Sequence, residues 1–100
     1  MSKYLILWEF DRDRLPEETE KRGGILSNFI HMVKQYQNKG IIKDWGMYIG
    51  EGKGYAVVEG DETELSIIMH RYGPYVRFKT RPIMSGDKLE SMLKRISKGI

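Results

Sequence analysis

The chain has 100 residues, of which 40% are hydrophobic and 31% charged, a composition typical of one folded domain and not of a disordered chain. It contains no cysteine, which excludes disulfides, thiolate catalysis and cysteine-based zinc sites. The net charge of +3 permits an anionic partner without requiring one. The longest apolar run, residues 4–8, is far shorter than the roughly 20 residues of a membrane helix. The N-terminus has no signal-peptide pattern either, so we expect a cytoplasmic protein.

The N-terminal part of the chain predicts a strand followed by a helix. Residues 3–10 are rich in β-branched and aromatic side chains and end at the charged loop 11–14, which is typical of a strand. Pro16 followed by two glutamates indicates a helix start. Two adjacent glycines lower the helix propensity near that start, so we expect a separate first piece and a firm helix over 24–38, ended by Gly40. Its apolar residues recur at the helical spacing of three and four: Ile25, Leu26, Phe29, Ile30, Val33 and Tyr36.

The middle of the chain predicts a β-hairpin and a second helix. Residues 41–49 and 53–59 have strand composition, and the turn Gly50-Glu51-Gly52 joins them. Asp61 with Glu64 three residues on indicates a helix N-terminus capped by the aspartate. The expected buried stripe of this helix is Leu65, Ile68, Met69 and Tyr72.

The C-terminal part predicts one more strand and one more helix. Gly73-Pro74 should end the second helix, and residues 75–84 should form the fourth strand, with Pro82 at an edge or frayed end. Asp87, with a glutamate three residues on, is the expected cap of the last helix, and Gly99 its end. The apolar residues on one side of that helix are Leu89, Met92, Leu93 and Ile96.

The predicted order β-α-β-β-α-β-α indicates an α+β fold. We expect a single domain over residues 1–100, with a ferredoxin-like βαββαβ antiparallel sheet, two helices on one face and an extra C-terminal helix.

Both faces of the first three predicted strands are apolar. The opposed sets are Tyr4, Ile6, Trp8 and Phe10 against Leu5 and Leu7; Ile41, Trp45, Met47 and Ile49 against Ile42 and Tyr48; and Tyr55 and Val57 against Ala56 and Val58. Two helices can cover one face only, and an exposed patch of several hundred Å² is unusual for a monomer. We therefore predict a homodimer formed through the sheet face. The alternative is that the third helix folds over the open face of its own sheet.

Three segments carry a resemblance to a known superfamily. The opening YLILWEF (4–10), the glycine-rich hairpin GEGKGYAVVEG (50–60) and YGPYVRFKTRPIMS (72–85), together with the strand order and length, resemble the dimeric α/β-barrel superfamily. The likeness is greatest to its small stand-alone members of unknown function. The resemblance implies a fold and a homodimer. Because the superfamily includes monooxygenases, isomerases, haem-binding enzymes and ligand-sensing domains, it implies no single chemistry, and no residue role carries over to a position here.

The fourth predicted strand carries three cations on one face. Arg77, Lys79 and Arg81 alternate with apolar or uncharged residues, so a pleated strand directs all three the same way. Arginine suits bidentate recognition of carboxylate or phosphate. The alternative is a charged edge strand that prevents sheets from aggregating.

Other motifs are weaker. Residues 53–60 partly match the RNP1 pattern of RNA-recognition domains, so an RNA-recognition-like module that binds single-stranded RNA is a further alternative function. Because Val57 stands where a stacking aromatic is needed, we do not expect nucleic acid as a partner. The glycines at 50–54 lead into a strand and not into a helix, unlike a P-loop. His31 and His70 lie off the apolar stripes of their helices, so we expect both to be exposed and predict no metal site and no cofactor.

We therefore predict a homodimeric α/β barrel that binds a small aromatic or anionic molecule. The expected ligand-binding residues are Trp8, Trp45, Tyr48 and Tyr55 as apolar walls, and Arg77 and Arg81 as anion contacts. The alternative function is a small cofactor-independent isomerase or monooxygenase, for which the sequence defines no catalytic set. The only candidate general bases are Glu9, Asp44 and His31. A purely structural interaction module is the third hypothesis, and a lined cavity distinguishes the first two from it.

Overall fold

The computed structural model describes residues 2–73 and 75–98 and contains four strands and three helices. In chain order these are β1 (Ser2–Phe10), α1 (Thr19–Asn38), β2 (Ile42–Met47), β3 (Lys53–Gly60), α2 (Glu62–Tyr72), β4 (Val76–Ile83) and α3 (Gly86–Ser97). The predicted α+β class and element order are confirmed. Gly73 caps α2, and its N–H donates to the Met69 carbonyl at 3.3 Å. Pro74 and Gly99, which we also expected to end helices, lie outside the described residues.

The four strands form one antiparallel sheet in the order β2-β3-β1-β4. The registers place Ile6 opposite Ala56 on one side and opposite Thr80 on the other. Helices α1 and α2 pack on the face that carries Ile6. The core between them and the sheet consists of Tyr4, Ile6, Trp8, Phe29, Val33, Tyr36, Ile42, Ala56, Val58, Leu65, Ile68, Tyr72 and Val76. The opposite face of the sheet, called the open face below, carries the odd-numbered residues of β1, β3 and β4.

Helix α1 is continuous, so the predicted break at its two glycines is wrong. Gly23 and Gly24 lie inside the helix. The propensity cost is about 1 kcal/mol for each glycine, and burial of Phe29, Val33 and Tyr36 in the core outweighs it. The predicted end at Gly40 is confirmed, because this residue adopts a left-handed φ of 80° that suits glycine at a helix C-terminus.

Of the capping residues predicted for α2 and α3, the first is confirmed and the second is wrong. The Asp61 carboxylate accepts a hydrogen bond from the Glu64 N–H at 2.9 Å, as expected. At α3, the Ser85 hydroxyl accepts from the Lys88 N–H at 3.2 Å, so Asp87 is not the cap. The helix begins before Asp87, which lies in the first turn, where its negative charge interacts favourably with the helix dipole.

A β-bulge in β2 changes which side chains face the core. Ile42 lies opposite Val58 and Asp44 opposite Val57, which leaves one extra residue between them. Since a bulge inverts the alternation beyond it, Ile42 and Trp45 both face the helices. Our expectation that these two residues lie on opposite faces is therefore wrong.

Helix α3 extends the molecule instead of covering it. The described residues measure 62 × 26 × 19 Å, and none of the α3 residues is buried. The alternative prediction, in which α3 folds over its own sheet, does not describe this structure. Among the described residues, no helix combines the length and the apolar character needed to cross a bilayer.

Candidate functional site

Both predicted tryptophans pack mainly on the helix-covered face of the sheet. Trp8 is only 5% exposed and packs against Phe29, with ring centroids 5.6 Å apart. Its Nε1–H donates to the Tyr55 carbonyl at 3.1 Å. Trp45 is half-buried beside the core, and its Nε1–H lies 3.3 Å from the Gln37 Oε1. Both indoles are therefore used in packing α1 and the core against the sheet.

The other four predicted ligand-binding residues lie on the open face. Tyr55 pairs with Leu7 across β3 and β1, and Arg81 pairs with Leu5 across β4 and β1. Arg77 pairs with Glu9, and the Tyr48 N–H donates to the Lys53 carbonyl at 2.9 Å beside the hairpin. The structure thus brings Tyr48, Tyr55, Arg77 and Arg81 to one face but divides the predicted set of six between two faces.

An open cleft of about 620 Å³ occupies one end of the open face. Its lining residues are Leu7, Trp8, Glu9, Tyr48, Lys53, Gly54, Arg77, Phe78 and Lys79. Of the six predicted residues, Trp8, Tyr48 and Arg77 line the cleft, whereas Trp45, Tyr55 and Arg81 do not. Lys79 shares the strand periodicity of Arg77 and could have been included from the sequence. Lys53 could not have been predicted to line the cleft, because its place there depends on the register of β3 against β1.

Three cations and one carboxylate line the cleft. The Arg77 Nη2 lies 3.8 Å from the Glu9 Oε1, with both side chains more than half exposed. The Lys53 Nζ lies 3.8 Å from the Glu51 Oε1, also in an exposed position. Lys79 has no carboxylate within 4.0 Å among residues 2–73 and 75–98. Because exposed ion pairs contribute about 0–1 kcal/mol, these cations remain available to an incoming anion.

A tyrosine–carboxylate pair lies farther along the same face. The Tyr55 hydroxyl donates to the Asp44 Oδ2 at 3.1 Å, and the Asp44 Oδ1 accepts from the Trp45 N–H at 2.9 Å. The hydrogen bond to Asp44 raises the pKa of Tyr55 above its ordinary value, because the phenolate would face a carboxylate; partial desolvation raises this pKa further. Asp44 thus accepts one hydrogen bond from Tyr55 on β3 and one from the backbone of its own strand.

The three candidate general bases do not converge. Glu9 lines the cleft, Asp44 is bonded to Tyr55, and His31 lies on the exposed side of α1, 3.3 Å from the Gln35 amide. The predicted exposure of His31 and His70 is confirmed. Within the described parts of the chain, no group of three histidine or acidic side chains is placed to hold a metal ion.

The site is therefore a cation-lined cleft beside an apolar sheet face, without a converging catalytic set. No curated protein matches the chain. Residues 2–97 match the family described as Domain of unknown function (DUF3303), and since the match covers nearly the whole chain, the protein belongs to that family.

Proposed function

We propose that the protein is a homodimeric binding protein of the ferredoxin-like, dimeric α/β-barrel type, and that its cleft binds a small anion with an aromatic or apolar body. The observation that carries this proposal is the juxtaposition of Arg77, Lys79 and Lys53 around an apolar floor at Leu7. The element order and the antiparallel sheet support the fold assignment.

The cleft offers two kinds of contact to such a ligand. Arg77 provides a planar guanidinium for a carboxylate or phosphate, and Lys79 adds a charge that no described carboxylate neutralises. Leu7 and the ring of Tyr48 offer apolar surface at the same place. An aromatic carboxylate would use both kinds of contact, whereas acetate would use only the first.

The cleft can be tested by thermal unfolding with benzoate, phenyl phosphate, acetate and inorganic phosphate. A ligand that binds only the folded state stabilises it by mass action. At ten times its dissociation constant, it should raise the melting temperature by about 5–10 °C. We expect the aromatic anions to exceed acetate and inorganic phosphate. The Arg77→Ala/Lys79→Ala double variant should lose the shift.

The matched control is Arg81→Ala, since Arg81 lies on the same strand and face but outside the cleft lining. It should retain the shift. Absence of any stabilisation, or a shift that survives the double substitution, would favour the alternative in which the β4 cations protect an edge strand.

Dimerisation is supported by the uncovered apolar centre of the open face at Leu5, Leu7 and Val57. Light scattering at micromolar concentration should give twice the 11.7 kDa chain mass. A monodisperse monomer would contradict the dimer while leaving the anion cleft to be judged by the thermal experiment.

One observation favours the isomerase or monooxygenase as a second candidate. Glu9 is the carboxylate that lines the cleft, 3.8 Å from Arg77, where a base could act on a bound anion. Glu9→Gln should then abolish turnover while leaving the ligand-induced thermal shift in place. Turnover unaffected by this change would remove the enzyme hypothesis in this form.

A further inference from the structure

Helix α3 carries an apolar stripe that nothing in the described chain covers. Leu89, Met92, Leu93 and Ile96 are 44%, 38%, 54% and 57% exposed, and they recur at the spacing that places them on one side of a helix. A twelve-residue helix without packing is marginally stable in water. The helix therefore needs an apolar surface to cover it.

The open sheet face is the matching uncovered surface. Both α1 and α2 pack on the other face, which leaves Leu5, Leu7, Tyr55 and Val57 facing away from the core. Only Met84 and Ser85 lie between the end of β4 and the start of α3, and the helix extends beyond the sheet instead of turning back.

We infer that α3 of each chain packs on the open sheet face of a second copy, with its apolar stripe over Leu5 and Val57. This inference rests on the proposed dimer and specifies the contact that forms it. Direct stacking of two sheets would leave both α3 stripes in water, whereas exchange of α3 covers the helix and the sheet together.

One flank of α3 is cationic and complements acidic residues of the open face. Lys88 and Arg95 line one side of the stripe together with Met92 and Ile96. The other side carries Glu90, which is already paired with Lys94 at 3.3 Å, so that side has no free charge to match. On the open face, Asp44 and Glu59 belong to β2 and β3, and Lys79 and Arg81 belong to β4. A helix that lies along the central strands with Lys88 and Arg95 toward β2 places these two cations beside Asp44 and Glu59.

The lengths also agree. Helix α3 spans about 18 Å at 1.5 Å per residue, and an eight-residue strand about 26 Å at 3.3 Å per residue. A helix centred over Leu5 therefore reaches about 9 Å to either side, which covers the Lys3 end of the sheet and Leu7. It stops short of Glu9 and Arg77, about 13 Å from Leu5, so the Arg77 end of the cleft stays open.

The absence of cysteine from the chain permits a direct cross-linking test. The full-length variants Leu5→Cys and Met92→Cys are treated with a short bismaleimide, each alone and then mixed. Exchange of α3 predicts a covalent dimer in the mixture and little in either variant alone. Cross-linking of Leu5→Cys alone would show direct sheet stacking, so the proposed dimer would stand and this inference would fail. Cross-linking of Met92→Cys alone would show pairing of two α3 helices, which also overturns it.

Substitutions on the two surfaces provide an independent test by sedimentation. Leu93→Asp with Ile96→Asp should abolish the dimer, whereas Ile67→Asp, at an exposed apolar position on α2, should not. Lys88→Glu with Arg95→Glu should weaken dimerisation about tenfold, and Glu59→Lys added to this pair should restore much of the loss. A dimer unaffected by the stripe substitution, or a monomer that floats with phosphatidylserine vesicles, would overturn the inference.

Discussion

Tyr72 places a hydroxyl in the core without a hydrogen-bond partner. Its side chain is 7% exposed, and among the described residues its oxygen is the buried side-chain polar atom that lacks a partner. The ring packs edge-on against Phe29, with centroids 4.8 Å apart. Burial raises the pKa of Tyr72 above its ordinary value, nearby Tyr36 raises it further, and Arg71 opposes the shift.

Replacing Tyr72 with phenylalanine should stabilise the protein at neutral pH by about 1 kcal/mol, because it removes an unsatisfied buried hydroxyl and keeps the ring. The pH dependence has a defined sign. Above about pH 10 the unfolded chain ionises this tyrosine and the folded chain resists ionisation, so the native protein loses stability as the pH rises. The variant should lose less over the same range. Urea unfolding at pH 7 and pH 11 measures both effects. If Tyr72→Phe is less stable than the unmodified protein at pH 7, the Tyr72 hydroxyl has a hydrogen-bond partner and the prediction is wrong.

Gly54 lies in the sheet at a position where a side chain would collide with the neighbouring backbone. A Cβ there would overlap the Gly46 carbonyl oxygen and lie 2.8 Å from both the Met47 Cα and the Trp8 ring. We expect Gly54→Ala to destabilise the protein by about 3 kcal/mol, because backbone and a buried indole must both move. Guanidinium unfolding checks this, and a loss below about 1 kcal/mol would show that β2 can shift away from β3.

At the scale of the elements, tertiary packing decides where α1 begins and how β2 is oriented. The helix continues through Gly23 and Gly24 because its later turns are anchored in the core. The bulge after Ile42 brings both Ile42 and Trp45 to the helix face. Neither outcome follows from local propensity, since each depends on contacts with residues far along the chain.

The glycines of α1 predict a stabilising substitution. A Cβ at Gly24 would meet nothing within 4 Å, so Gly24→Ala should gain about 0.5–1 kcal/mol from helix propensity and from a less flexible unfolded chain. Thermal unfolding should show a rise of several degrees. A fall would indicate that the first turns of α1 need the freedom of glycine.

At the scale of the whole molecule, the open face is poor in stacking surface for nucleic acid. Its aromatic side chains are Tyr55, whose hydroxyl is bonded to Asp44, and Tyr48, which lies at the hairpin end in the cleft. The central positions Leu5, Leu7 and Val57 offer no ring on which a base could stack. Single-stranded RNA recognition on such a sheet uses two or three stacked bases.

We therefore expect only weak, salt-sensitive binding to single-stranded RNA, produced by the β4 cations. Fluorescence anisotropy with labelled oligouridine at low and high salt measures this. Tight binding that persists at high salt and disappears in Tyr55→Ala would instead favour an RNA-binding module.

The sequence by itself determined the element order, the α+β class and the shared face of Arg77, Lys79 and Arg81. These follow from local periodicity, which depends on neighbours a few residues away. The apolar stripe of α3 was visible for the same reason.

Only the tertiary structure decided which surfaces lie together. It placed Trp8 in the core, brought Lys53 across β1 into the cleft with Arg77, and left α3 without a covering surface. Strand register, the bulge in β2 and the position of a terminal helix are set by contacts between distant segments. In a strand without a bulge, the pattern along the chain fixes the face of each residue but not the neighbour that it meets.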